Sequence, residues 1–219
     1  MSYSGRSLEQ RALHVIAFVC VLAMACMVVA AAAQNQRGIR PDGIAITVAS
    51  RAAAPAVKDV LLNRQRVISG VADSMTLDGP ATYASHTDRM TFDMTWLDLV
   101  ENRVYRRKFD LSAQTLSSRG DDGRFVEVTI TTGAQGDLTV TTPNPQALRL
   151  AGLDRADEIT PQIAAPRIIV ELCATPLSPD HPRGAALRQA LDLDTLAGLM
   201  VRRNAWRDGN AIAPSRCAR

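Results

Sequence analysis

The sequence predicts a mainly β domain of the α+β class: an antiparallel sheet or sandwich built from hairpins, with one C-terminal helix and a preceding N-terminal membrane helix. Three observations predict it: an uncharged run near the N-terminus, several segments in which apolar and polar residues alternate, and one later stretch with helical periodicity. Alternation places every second side chain on one face of a strand, whereas a spacing of three and four residues marks one face of a helix. With 219 residues, the chain is long enough for one domain with its own core.

The uncharged run extends from Val15 to Ala33 and contains nineteen residues. As a helix it would be about 28 Å long, close to the hydrocarbon thickness of a bilayer. Three interpretations stay open: an uncleaved signal anchor, a signal peptide cleaved after Ala33, and a lipoprotein signal that uses Cys26. All three export the rest of the chain if the N-terminus stays inside.

This leader divides the chain into four predicted parts. They are a cytoplasmic n-region at 1–14, the signal anchor or signal peptide at 15–33, a polar tether at 34–42 and a periplasmic β-rich domain at 43–219. The predicted location is the bacterial inner membrane, crossed once with the C-terminal domain in the periplasm. Cleavage after Ala33 would release the domain into the periplasm instead.

The cysteines agree with export. Cys20 and Cys26 lie in the apolar run, so Cys173 and Cys217 form a pair in the exported part. A disulfide between them would close a loop of about 44 residues and stabilise the fold by roughly 4 kcal/mol on the chain-entropy model. Two unrelated thiols are the alternative. We expect the disulfide, because the leader directs the domain to an oxidising compartment.

Alternating segments predict the strands of the domain. The strands are expected at Gly43–Ser50, Met90–Trp96, Val104–Leu111, Phe125–Thr131, Asp137–Thr142 and Arg167–Cys173. The second and third form one hairpin around Glu101-Asn102, and the fourth and fifth form another. The last strand is more continuously apolar, which favours a central position in a sheet.

Three further segments complete the expected architecture. Val57–Ile68 allows either a strand pair or a short helix, and the pattern does not decide between them. Ser69–Asp88 is rich in small and polar residues and is predicted to be a long loop. Gly184–Arg203 is the one convincing helix, because its leucines form an apolar arc along one side.

No catalytic or metal-binding constellation emerges from the sequence. Histidines in the exported part are limited to His86, beside Ser85, and His181, and neither adjoins the turn motif of a nucleophile. Asp154, Asp157 and Glu158 have the spacing of a solvated turn rather than of a calcium loop. We therefore expect no enzyme activity, no cofactor and no metal. A net charge of +3 gives no electrostatic reason to expect nucleic acid.

The densest charge cluster is a candidate partner-binding site. It contains Arg103, Arg106, Arg107 and Lys108. One interpretation is a docking patch for an acidic protein or for anionic headgroups. The other is protection of a strand edge against pairing with other chains. On either interpretation, reversing Arg106 and Arg107 to Glu is expected to leave folding intact.

The same hairpin carries the spaced motif W-x-x-L-x-E-x-x-x-Y, formed by Trp96, Leu99, Glu101 and Tyr105, before a strand that ends in Phe109-Asp110-Leu111. It resembles a segment of a proteobacterial domain-of-unknown-function family of mostly exported lipoproteins, often encoded beside type VI secretion effectors. Phe125–Val140 occupies the place of that family's next strand, Gly-rich turn and strand. The resemblance covers about residues 43 to 145 and departs at the lipobox around Cys26 and at the thinner glycine turn.

This resemblance implies a membrane-tethered periplasmic binding protein, such as an immunity protein that neutralises a secreted toxin, and it brings no catalytic residues. The leading hypothesis is therefore a binding or immunity-like protein, or an accessory protein of a secretion system, held at the membrane by its N-terminal segment and acting on a protein partner. The alternative is a structural inner-membrane subunit of a secretion or envelope complex. A third hypothesis is a periplasmic hydrolase with a site around Ser85-His86.

Overall fold

The computed structural model describes residues 41–50, 56–72, 74–76, 81–82, 88–99, 101–119, 125–209 and 215–217, together with Val21. The chain divides into two compact units, Met1–Arg40 and Pro41–Arg219, and the described residues fall in the second unit except for Val21. The predicted membrane segment at 15–33 thus lies, Val21 apart, outside the described residues, and so does most of the tether. Among the helices that the structure describes, none has the length and hydropathy needed to cross a bilayer.

The domain is mainly β, as predicted. Its described strands are β1 (Gly43–Ser50), β2 (Ala56–Leu62), β3 (Gln65–Ala72), β4 (Ser74–Thr76), β5 (Ala81–Thr82), β6 (Arg89–Asp98), β7 (Arg103–Ser112), β8 (Ser117–Arg119), β9 (Phe125–Thr132), β10 (Asp137–Thr142), β11 (Arg167–Cys173) and β12 (Thr175–Pro176). They form a seven-stranded sheet with the order β11-β10-β9-β1-β4, in which β5 also pairs with β1 and β8 with β9. The five-stranded sheet has the order β12-β7-β6-β2-β3.

The strand pairing departs from the predicted antiparallel arrangement at one place. β1 and β9 run parallel over their whole length, from Gly43 opposite Phe125 to Ser50 opposite Thr132. A parallel pair needs a long connection, and here that connection passes through the five-stranded sheet. The sequence pattern of a single strand carries no information on the direction of its neighbour.

Both sheets contribute to one hydrophobic core. The five-stranded sheet supplies every second residue of β6, from Met90 to Trp96, and alternate residues of β7 such as Phe109. The seven-stranded sheet supplies apolar residues of β1, β9 and β10 to the same cluster. The rings of Phe92 and Phe109 stack with their centroids 5.2 Å apart. Trp96 is fully buried in this core.

The predicted β6–β7 hairpin is confirmed and is longer than expected. All ten residues of each strand pair, from Arg89 opposite Ser112 to Asp98 opposite Arg103. Asn102 adopts φ +50° in the turn, a left-handed conformation that asparagine tolerates better than most residues.

The ambiguous segment at Val57–Ile68 forms the β2–β3 hairpin rather than a helix. Asn63 and Arg64 make its turn, with φ +49° and +72°. Positive φ at both central residues is the requirement of a tight hairpin turn, and Asn is favoured in such turns. Two hydrogen bonds attach the turn to β6: the Asn63 N–H donates to the Thr91 carbonyl at 2.8 Å, and the Thr91 N–H donates to Asn63 Oδ1 at 2.9 Å.

The described helices are α1 (Pro145–Gly152), α2 (Pro161–Ala164), α3 (Pro182–Gln189) and α4 (Leu193–Gly209). The prediction of one continuous helix at Gly184–Arg203 is wrong, because the chain breaks around Asp192. The Asp192 carboxylate accepts the N–H of Thr195 at 2.6 Å, and this bond, the largest cause, lowers the pKa of Asp192. An aspartate in this position starts a new helix instead of continuing the previous one.

One strand prediction and one loop prediction also need correction. Arg167–Cys173 forms β11 but lies at the end of the seven-stranded sheet rather than at its centre. Its apolar residues pack only partly on the margin of the core, and Ile168 is 57% exposed. The predicted loop at Ser69–Asp88 contains the end of β3 together with β4 and β5, which pair with β1. Such short strands are defined by their distant partner rather than by their own pattern.

Gly136→Ala should destabilise the domain by about 2–3 kcal/mol. Gly136 has φ +81°, and an added Cβ would lie 2.8 Å from Tyr105 Cδ1. Gly198→Ala is the matched control, since Gly198 lies in α4 with nothing within 4 Å of the added atom. The control should be neutral or slightly stabilising. Urea unfolding of the two variants measures both effects, and equal stabilities would contradict the close contact between Gly136 and Tyr105.

Candidate functional site

The predicted basic cluster does not form a single surface. In β7 the side chains of Tyr105 and Phe109 face the core, so Arg103 and Arg107 lie on that same face of the strand. Arg106 and Lys108 lie on the opposite, outer face. The four cations therefore belong to two different surroundings, with Arg103 and Arg107 on one face of β7 and Arg106 and Lys108 on the other.

On the outer face, Asp93 of β6 holds two arginines in an arrangement that we call the Asp93 clamp. Arg106 Nε donates to Asp93 Oδ1 at 2.8 Å and Arg106 Nη2 donates to Oδ2 at 2.7 Å. Arg183 Nη1 lies 3.0 Å from Asp93 Oδ1. The hydrogen bonds from Arg106, aided by the charge of Arg183, lower the pKa of Asp93 against the opposing effect of burial. Two-point contacts of this kind are the strong form of an arginine–carboxylate pair.

Helix α3 supplies the second arginine of the clamp. His181 caps the helix, its Nδ1 accepting the Arg183 N–H at 3.2 Å, and Pro182 occupies the first turn. This start places Arg183 over β6, where its Nη1 also lies 3.3 Å from the Thr95 hydroxyl. Leu187 packs on Val57, Leu97 and Val104 in a second, smaller apolar cluster. His181 therefore has a structural contact, whereas His86 and Ser85 lie outside the described residues.

The clamp forms one wall of a recess that we call the basic groove. It has a volume of about 530 Å³ and is lined by Leu61, Asn63, Arg64, Thr91, Asp93, Lys108 and Arg183. Within the described part of the chain, no carboxylate lies at ion-pair distance from Arg64 or Lys108. Because Asp93 is shared by two arginines, the groove has an excess of positive charge.

On the core-facing side of β7, Arg103 and Arg107 line a different recess, the disulfide cleft. It has a volume of about 450 Å³ and is lined by Glu101, Arg103, Tyr105, Arg107, Gln135, Cys173, Ala174, Thr175, Pro176 and Cys217. The Tyr105 hydroxyl donates to Glu101 Oε2. Burial, followed by this hydrogen bond, raises the pKa of Tyr105 to about 12. Tyr105 therefore stays neutral at physiological pH.

The predicted cysteine pair is confirmed. Cys173 and Cys217 lie at disulfide distance, with their Cα atoms 5.6 Å apart. The segment that carries Cys217 has a second attachment, because Arg216 forms ion pairs with Asp137 and Glu171 and its Nη2 donates to the Leu138 carbonyl at 2.7 Å. The end of the described chain is thus fixed to the seven-stranded sheet by a covalent bond and by charge.

The remaining sequence candidates do not converge on a site. Asp154, Asp157 and Glu158 are all exposed, and Glu158 is paired with Arg155. In the ranges that the structure describes, no three His, Cys, Asp or Glu side chains are arranged to hold a metal ion.

Sequence reasoning missed two residues of these sites and one buried charge elsewhere in the domain. Arg183 and Arg64 are distant in sequence from the basic hairpin and join it only through the fold. Lys58 is fully buried, and its Nζ donates to the Val48 carbonyl of the other sheet at 3.5 Å. Lys58 precedes Val60 by two residues and therefore lies on the same, core-facing side of β2. Its burial could have been predicted if this segment had been assigned as a strand.

Comparison of the chain with models of protein families, with curated proteins and with solved structures gave no match. The resemblance to a family of exported lipoproteins therefore stays a prediction.

Asp93→Asn should lower the free energy of unfolding at pH 7 by about 2–4 kcal/mol, because it leaves two adjacent guanidiniums without their carboxylate. The folded-state pKa of Asp93 lies below its unfolded value. Its contribution is therefore complete above about pH 4 and is lost as the pH falls through the folded-state pKa. The stability of the variant should accordingly fall less steeply with acid than that of the wild type.

Asp110→Asn is the control for this prediction, since it removes an exposed pair with Arg89 on the same hairpin. Exposed pairs contribute little to stability, so this variant should unfold at nearly the wild-type urea concentration. Equal losses of unfolding free energy in the two variants would contradict the prediction that the Asp93 clamp stabilises the domain more than an exposed ion pair does.

Replacing Cys173 and Cys217 by Ser should lower the free energy of unfolding by roughly 4 kcal/mol, since the bond spans a sequence separation of 44 residues. Thermal unfolding with and without reductant measures this effect in the wild type. Reductant should lower the wild-type Tm and leave the double variant unchanged. An unchanged wild-type Tm would show that the bond contributes nothing.

Proposed function

We propose that the chain is an exported, membrane-tethered binding protein without catalytic activity, and that its basic groove takes an acidic protein partner. An immunity-like or accessory role in a secretion system fits this proposal. The membrane tether rests on the uncharged run at 15–33, and export also accounts for the disulfide between Cys173 and Cys217.

The observation that carries the proposal is the combination of cations in the groove. Arg183 is fixed by Asp93, while Arg64 and Lys108 line the same recess without a carboxylate at ion-pair distance in the described part of the chain. Cations gathered in this way attract acidic partners and raise the association rate. Protection of a strand edge requires charges on β7 alone, whereas Arg64 and Arg183 reach this recess from the β2–β3 turn and from α3.

The structure also changes which residues should be tested. Reversal of Arg106 would break its two contacts with Asp93, so it would confuse loss of binding with loss of folding. Arg107 donates to the Cys173 carbonyl at 3.2 Å and lies on the other face of β7. Arg64 and Lys108 are therefore the better positions for charge reversal, in place of the Arg106 and Arg107 pair that the sequence suggested.

A photoreactive residue at Leu61, which lines the groove without contributing charge, should form one discrete adduct in the full chain in its native membrane. Arg64→Glu together with Lys108→Glu should abolish the adduct without changing the Tm. A photoreactive residue at Arg149, on the exposed side of α1, is the matched control and should form none. Mass spectrometry of the adduct should identify an acidic segment of one partner protein.

An adduct that persists after the two charge reversals would contradict the proposed role of the basic groove in binding the partner. Isolation of the adduct within a stable assembly of several subunits would favour the alternative, a structural subunit of a secretion or envelope complex. A one-to-one adduct supports the binding or immunity-like protein.

A further inference from the structure

We infer that the disulfide cleft is a second binding site, separate from the basic groove, for a small organic anion that carries one carboxylate beside an apolar or aromatic portion. The cleft lies where the chain crosses from β11 in the seven-stranded sheet to β12 in the five-stranded sheet, at Ala174. Its lining residues on β7 occupy the face opposite to that of Arg106 and Lys108. The two recesses can therefore be tested independently.

The walls of the cleft are held in place before any ligand arrives. The Ala174 N–H donates to the Gly136 carbonyl at 2.8 Å, and Thr175 pairs with Arg106 of β7. The bond between Cys173 and Cys217 closes one side. A cleft that is already formed avoids the entropy cost of ordering its walls, and this favours binding of small molecules.

The charges of the cleft suit a single carboxylate. Arg103 and Arg107 contribute two positive charges, and Glu101 contributes one negative charge but is engaged by the neutral Tyr105 hydroxyl. Arg107 directs one N–H to the Cys173 carbonyl, and its Nε has no acceptor among the described residues. A guanidinium carries five N–H donors, so Arg107 retains donors for a ligand. Planar carboxylates accept two parallel N–H bonds from such a group.

The rest of the lining suits a short apolar portion. Ala174, Pro176 and the sulfur atoms of Cys173 and Cys217 contribute carbon and sulfur surface beside the two arginines. A volume of about 450 Å³ lies in the range of ordinary small-molecule sites. This space holds a small aromatic or branched acid.

Benzoate and benzamide are the probes that test the inference, because they have nearly the same shape and differ in charge. Saturation-transfer NMR with the full chain in detergent measures the dissociation constant of each. We expect benzoate to bind about tenfold or more tightly than benzamide, a difference that corresponds to one charge-assisted contact. Equal affinities, or no saturation transfer to benzoate, would overturn the inference.

Charge-preserving and charge-removing variants then assign the site. Arg103→Gln with Arg107→Lys should weaken benzoate binding about tenfold, whereas Arg64→Gln, in the basic groove, should leave it unchanged. Retention of full affinity in the first variant, or loss in the second, would overturn the assignment to the cleft.

A measurement on the wild type avoids any effect of these variants on folding. Phenylglyoxal modifies accessible guanidiniums, and Arg103 is exposed. Benzoate, and not benzamide, should protect Arg103 from modification while Arg64 reacts at the same rate with either compound. Equal modification of Arg103 in the presence of both compounds would overturn the inference even if every variant failed to fold.

Discussion

The ten-residue ladder between β6 and β7 is the interaction on which the rest of the domain depends. Because side chains alternate across a strand, the two faces of this hairpin contact two different parts of the domain. Its inner residues, from Met90 to Trp96, join the core shared by both sheets. Its outer residues form the Asp93 clamp and the smaller apolar cluster under α3. A shift of one residue in the register would exchange these faces and bury Asp93 in the core.

The clamp connects this hairpin, which ends at Ser112, to a helix that begins at Pro182. Arg183 reaches Asp93 because His181 and Pro182 begin α3 over strand β6 of the five-stranded sheet. A carboxylate shared by two guanidiniums is well satisfied but leaves a net positive charge, which the basic groove then presents with Arg64 and Lys108. The groove is thus a consequence of how the helix is attached. Asp93 and Arg183 therefore contribute both to the packing of the domain and to its candidate binding surface.

The predicted strands and hairpins were largely confirmed because their signals are local. Alternation identified β1, β6, β7, β9 and β10. The break before α4 was missed because the leucines around Asp192 continue a helical spacing, while the capping bond from Thr195 competes with that pattern. The central position predicted for β11 was wrong because an apolar run does not reveal how many neighbours a strand has. The disulfide between Cys173 and Cys217 was predicted from the small number of cysteines rather than from geometry.

The sequence by itself determined the mainly β class, the two clearest hairpins and the pairing of the cysteines, since period, turn residues and cysteine count are readable along the chain. Only the tertiary structure decided that β1 and β9 run parallel and that the four basic residues of the hairpin divide between two different surroundings on opposite faces of β7. The physical reason is the same in both cases. Which residues meet across sheets depends on contacts between distant segments, as with Arg183 and Asp93, and no local pattern encodes them.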